Sequence, residues 1–229
     1  MAMVKCPKCG KDVSDKATKC VYCGLMLKSN NKARMEKAPQ ELYDEACKYY
    51  KDLQLTVRKI GLMLESVEDI DFSTTNALYQ MDYALQYILL LQAVSDGEVD
   101  HFEQQFVDMI TEHGDLLCII NDRYDISLSW ETLELFNNKS IYTMLTGIID
   151  DMSYIVLDFV TEMAMVDAII TDYDYYADIR KDFLNIAECL ACIDNDASDN
   201  IGAEYFDRLI GNFYLEKKRE FEAQHNGKE

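Results

Sequence analysis

From residue 39 onward the apolar positions step along the chain by three and four. Leu42, Ala46, Tyr49, Leu53, Val57, Ile60, Leu64 and Val67 fall on one stripe of a helix. Pro39 suits the first turn of that helix, where its missing N–H costs nothing. Ser73 or Thr74 opens a second helix that carries Leu78, Met81, Leu85, Ile88 and Leu89 and should stop near Asp96-Gly97. Asp100 then caps a third, with Glu103 at the N3 position of a capping box and His113-Gly114 as its end. Residues 115–128 read as a short helix and a loop. Ser129 caps a short helix through Phe136, Ser140 opens a long one reaching about Ile170, and another runs from about Tyr175 to Ile193. The last begins after Asp199 and fades into the charged tail EKKREFEAQHNGKE. The pattern predicts an all-α domain of about six to eight helices over residues 39–229. Only two prolines and nine glycines interrupt the chain, too few for the many turns of an all-β fold.

The front of the chain breaks this pattern. Residues 6–24, CPKCGKDVSDKATKCVYCG, hold Cys6, Cys9, Cys20 and Cys23 as two CxxC pairs ten residues apart, each followed by glycine. Each pair places two sulfurs on one knuckle, and the spacer brings the second knuckle round to complete a tetrahedron for Zn2+. Gly10 and Gly24 accommodate positive φ and leave backbone amides for the thiolates. With all four positions filled by protein, the zinc is structural and no site remains for a catalytic water. Residues 1–27 therefore form a zinc module. Residues 28–38, KSNNKARMEKA, have no apolar period and read as a basic linker.

The module resembles the short zinc ribbons, of pattern CPxCG…CxxCG, found at the front of many bacterial and archaeal proteins. Such ribbons mostly mediate contacts. An aromatic usually precedes the third cysteine; Lys19 stands there instead, which weakens the ribbon's small core.

A weak internal repeat lies further on. LQAVSDGEVDHFEQQFVDMI (91–110) aligns without gaps to LACIDNDASDNIGAEYFDRL (190–209), with Leu91/Leu190, Asp100/Asp199 and Asp108/Asp207 identical. Both copies read as an apolar helix end, an acidic turn, a capping Asp and an amphipathic helix. In the first copy, Ala93, Asp96, Gly97, Val99 and Glu103 match the A-x-x-DGx[IV]xxxE signature between two helices. On these residues the domain resembles the TerB-like family, named from tellurite resistance. That resemblance implies an all-helical fold with a second related turn late in the chain. It also implies a bacterial stress-response or defence setting. The second turn departs from the signature, since Asn195-Asp196 replaces Asp-Gly and Gly202 replaces the glutamate.

Asp96, Glu98 and Asp100 crowd one turn, and Asp194, Asp196 and Asp199 the other. Hard divalent cations such as Ca2+ or Mn2+ take such oxygen clusters, so the two turns are a candidate second cation site. The same acids also serve as helix caps and solvated surface, and both readings stand at this level. An EF-hand does not fit, because Asp199 and Tyr205 occupy the positions of its glycine and final glutamate.

Charge separates the two parts. Residues 1–37 hold nine Lys/Arg against three Asp/Glu, a net +6; the remainder holds 13 against 39, a net −26. The body repels nucleic acid, so nucleic-acid contact is open only to the ribbon, and protein is the expected partner. No stretch is apolar enough to span a membrane, and no leader-type apolar run is visible. The four remaining cysteines, 47, 118, 189 and 192, follow no disulfide plan, which suits a reducing cytoplasm. Cys189-Leu-Ala-Cys192 lies within a helical period and reads as two core thiols. In TDYDYYADIRKD (171–182) tyrosines alternate with acids, which suits either a partner surface or packed rings beside solvated carboxylates. No nucleophile, base or phosphate loop converges, so the expectation is a non-catalytic interaction protein.

Overall fold

The computed structural model describes residues 3–6, 9–17, 19–22, 34, 36–65, 72–94, 99, 101–110, 116–135, 143–148, 156–170, 173–193 and 201–226. A two-stranded antiparallel hairpin stands first. Strand β1 (Met3–Lys5) pairs with β2 (Asp12–Ser14) in the register Met3↔Ser14, Val4↔Val13, Lys5↔Asp12. The rest is helical: α1 (Pro39–Leu64), α2 (Thr74–Ala93), α3 (His101–Ile110), α4 (Leu116–Tyr124), α5 (Trp130–Leu135), α6 (Leu157–Met165), α7 (Tyr175–Ala191), α8 (Ile201–Phe206) and α9 (Asn212–Asn226). A further helical stretch covers 143–148. The chain is thus mostly helical behind an N-terminal ribbon.

Helix α2 is the central element. It is buried nearly all round from Ala77 to Ala93, which is why its sequence shows so little amphipathic contrast. Ser73 caps it, accepting from the Asn76 amide at 3.2 Å. Helices α1, α3, α7 and α8 all pack against it, and α1 packs most extensively on α7. Polar groups buried on α2 fix these neighbours. Tyr50 of α1 donates to both oxygens of Asp82 at 3.0 Å, and Gln80 accepts the Phe159 amide at 2.9 Å, which holds the first turn of α6. The predicted stripe of α1 is shifted at one place: Tyr50, not Tyr49, enters the core, because its hydroxyl has the Asp82 carboxylate to meet.

Two departures from the sequence reading involve the late helices. The stretch expected as one long helix from Ser140 includes a separate start at Leu157, with Val156 in the N-cap position and no side-chain cap; residues 149–155 lie outside the described residues. The charged tail does not fade but stays helical through Asn226, with Lys217 paired to Glu220 at 2.8 Å.

Helix α6 and the α8–α9 run each contain one π-helical turn, at Val166–Ile170 and Asp207–Gly211. Such a turn makes room for one extra residue and re-aims a side chain. The first aims Asp167 at the start of α7, where it accepts the Tyr175 and Tyr176 amides at 3.0 Å and the Tyr214 hydroxyl at 2.9 Å. The second aims Asp207 at Arg180.

Candidate metal centre

The first knuckle is built by a tight turn. The Cys6 amide donates to the Lys11 carbonyl at 2.9 Å, and the Gly10 amide to the Cys6 carbonyl at 2.8 Å. Gly10 takes φ +67, the left-handed conformation that glycine alone adopts without strain. Its own amide serves the turn.

The Sγ atoms of Cys6, Cys9 and Cys20 all lie within 4.8 Å of one another, with Cys9 and Cys20 at 3.7 Å. A tetrahedral zinc with Zn–S near 2.3 Å demands sulfur–sulfur edges of about 3.8 Å. The three thiols therefore fit zinc. Cys23, the fourth predicted ligand, lies outside the described residues. Among the described residues no other group of three His, Cys, Asp or Glu side chains converges in this way. Asp96, Glu98, Asp100, Asp194, Asp196 and Asp199 also lie outside the described residues, so the candidate Ca2+ or Mn2+ site is not described.

Cys6, Cys20 and Val13 form a small buried core, and among the described residues the apolar side chains packed against it are Cys9 and Ala177 of α7. The missing aromatic at Lys19 is thus compensated by the helical domain. One turn further along α7 lies Arg180, 2% exposed, which forks onto Asp207 at 2.8 and 2.9 Å. Burial opposes the Arg180 charge, but Asp207, Tyr176 and Cys6 outweigh it and raise the guanidinium pKa. Tyr176, fully buried beside them, stacks on Tyr214 at 4.0 Å and 7°.

The segment read as a linker is anchored as well. Arg34 is 8% exposed and reaches Glu45 at 2.9 Å, Glu188 at 2.5 Å, the Tyr49 hydroxyl at 3.0 Å and Asn185 at 2.8 Å. Burial alone would raise the Glu45 carboxyl, yet hydrogen bonds from Lys37 and Arg34 hold it below the ordinary range. Of the nine cations in residues 1–37, Arg34 is the single arginine, and this was the available signal for a forked, buried contact. Arg180 carried a signal too: it falls on the apolar stripe Tyr176, Phe183, Ala187, Leu190.

The outer side of the ribbon is open. Val21 is 81% exposed and Tyr22 58%, with Lys11 Nζ 4.8 Å from the centre of the Tyr22 ring. The other predicted thiol pair sits in the core: Cys189 and Cys192 are buried, and burial pushes the Cys189 thiol up to about 12. The tyrosine-rich stretch divides. Tyr175 and Tyr176 are packed, while Tyr173 is exposed and donates to Asp178 at 2.5 Å.

Residues 2–27 match a family model described as a zinc-ribbon domain. No curated protein and no solved structure matches the chain. No helix among the described residues is long and apolar enough to cross a membrane.

Proposed function

We propose that this is a non-catalytic, zinc-binding adaptor whose ribbon presents its second knuckle, Val21-Tyr22, to a protein partner. One observation carries the reading. The ribbon's inner face is spent on Ala177, yet Val21 and Tyr22 stand out into solvent on the opposite knuckle. A large exposed aliphatic and an aromatic side by side are what a partner's apolar pocket takes as an anchor. The lysines around them favour an acidic rim on that partner. The helical domain, with its helix–acidic turn–helix repeat, is the TerB-like body behind the head. Its resemblance supports a stress-response or defence role in the cytoplasm. No observation favours the calcium reading over capping by the same acids.

Affinity capture with the full chain tests the proposal. Val21→Ser/Tyr22→Ser should keep one zinc per chain and the wild-type helical signal while losing the captured protein. Cys6→Ser/Cys9→Ser should lose both zinc and partner. Unchanged capture by the knuckle variant overturns the reading. Capture abolished by nuclease would transfer the ribbon to nucleic-acid binding.

A further inference from the structure

We propose that the cleft formed by α2, α3, α4 and α5 binds a small amphipathic organic cation, an amine carried on an aliphatic or aromatic body. The site lies wholly in the helical domain and involves neither the ribbon nor a captured protein.

The cleft has a volume of about 690 Å3. Small-molecule sites span about 300–1,000 Å3. Its inner surface is apolar: Leu90 of α2 and Val107 of α3 line it at 1% and 5% exposure. Its exposed charges are all acidic. Asp108 of α3, Asp122 of α4 and Glu131 of α5 line it, and among the described residues no Lys, Arg or His does. Arg123, beside Asp122 in sequence, lies over the Tyr124 ring, 5.8 Å from its centre. Asp108 is engaged with Trp130, so the charge offered to a ligand rests on Asp122 and Glu131.

The walls are held in place without a ligand. Trp130 donates its indole N–H to both oxygens of Asp108 at 3.0 Å, which ties α5 to α3. Asn121 clasps the loop after α4. Its side-chain amide donates to the Leu128 carbonyl at 2.8 Å, and its oxygen accepts the Leu128 amide at 2.7 Å. Asp125 turns that loop with φ +50. A cleft formed in advance spends less binding free energy on ordering its own walls.

These features select the ligand class. The oxygens of Asp108, Asp122 and Glu131 do not all come within 4.8 Å of one another, the spacing that ligands around one metal ion would show. Carboxylates spread over an apolar interior suit a cation that brings a body with it. An anionic ligand would meet like charge, and a bare metal ion would leave the interior unfilled. Trp130 suits the same ligand, because the indole is the aromatic ring most attractive to ammonium groups.

Trp130 is the protein's one tryptophan, so its emission reads the cleft directly. The full chain is titrated with phenethylamine, hexylamine, the matched neutral 2-phenylethanol, the anion phenylacetate and Ca2+. At least one amine should shift the emission saturably and raise the melting temperature. The alcohol should bind more weakly than phenethylamine, and phenylacetate and Ca2+ should leave the emission unchanged. Asp122→Asn/Glu131→Gln alters exposed side chains and should keep the wild-type helical signal. It should weaken the amine about 2-fold to 30-fold, the range for two exposed ion pairs, without changing the alcohol. Leu117→Phe, from a half-buried position in the wall, should weaken both; if it does not fold, the acidic-residue variant alone decides. Failure of both amines overturns the proposal, as does equal binding of phenethylamine and the alcohol, or amine affinity untouched in Asp122→Asn/Glu131→Gln. A shift with Ca2+ would make the cleft a metal site instead. Saturation by a lysine-bearing peptide where both amines fail would make it a protein-docking pocket. Since the ribbon takes no part in the readout, failure here leaves the knuckle proposal standing, and the reverse holds too.

Discussion

Asp182 is the most exposed-looking residue in the sequence of α7 and one of the most buried in the structure. It lies between Lys181 and a hydrophobic Phe183-Leu184 pair, yet its side chain is 2% accessible. Its nearest cation, Lys181, is 3.4 Å from Oδ1 without hydrogen-bond geometry. Burial is the main reason its carboxyl is pushed up to about 6; Lys181 opposes this, while Asp52 and Asp178 add to it. Glu162 behaves similarly, pushed up to about 7 by burial and by Asp158 one turn away. A carboxyl whose folded pKa is raised is favoured by folding when protonated. Its contribution is fully present below the ordinary carboxylate range and is lost as pH rises through about 6 for Asp182 and about 7 for Glu162. The protein should therefore melt higher at pH 6 than at pH 8. Asp182→Asn removes the buried charge and should raise the melting temperature at pH 7.5 by an amount worth at most about 3 kcal/mol. The gain should shrink at pH 5, where the wild-type carboxyl is mostly protonated. An equal gain at both pH values would show that shape, not charge, governs the site.

At the scale of elements, the repeat becomes intelligible through packing. Leu91 and Leu190 are both fully buried at the ends of α2 and α7, and Phe106/Tyr205 and Ile110/Leu209 are buried in the helices that follow. One identical pair, Asp108 and Asp207, accepts in both units: Asp108 takes the Trp130 indole N–H at 3.0 Å, and Asp207 takes Arg180. The units differ where Glu103 faces Gly202. Glu103 is buried on α3, but a Cβ on Gly202 would lie 2.6 Å from the Cβ of Ala187, so α8 meets α7 tightly at this point. The glycine that breaks the signature is thus a contact glycine. Gly202→Ala should destabilise the protein by about 1–3 kcal/mol through overpacking, read as a lower denaturant midpoint. Pairing it with Ala187→Gly should restore most of the loss. Helix periods, the cap at Ser73 and the cysteine knuckle were legible in the sequence because each is a local pattern with one physical cause. The π-turns were not, since an inserted residue looks like a slip in periodicity. Arg34 was read only as part of a basic linker and Arg180 was given no role, because their partners, Glu188 and Asp207, come from 154 and 27 residues away.

For the whole molecule, the question is whether the basic head is held by long-range attraction or by its two buried contacts. Residues 1–37 carry +6 and the rest −26, so the field draws the head toward the body at any orientation. That field is screened once the Debye length falls from about 30 Å at 0.01 M salt to about 8 Å at 0.15 M. Arg34 is buried, 8% exposed, so its contacts are screened far less, and the apolar contact of the ribbon core with Ala177 does not depend on charge. Self-repulsion among the body's excess acids scales with the square of their charge and exceeds its attraction to a head of +6. Added salt should therefore raise the melting temperature, because relief of repulsion outweighs the lost attraction. It should also leave the head seated, because contact geometry and not the field fixes it. The check is a melting series from 10 to 300 mM NaCl, with α7 exchange followed in parallel, concentrations chosen to cross the screening range of about 30 to about 6 Å. A melting temperature that falls with salt, or α7 protection that dissolves before the domain melts, would mean that the head is held by its net charge. Ribbon and body would then meet only as a diffuse pair, with no defined seat at Ala177 and Arg34.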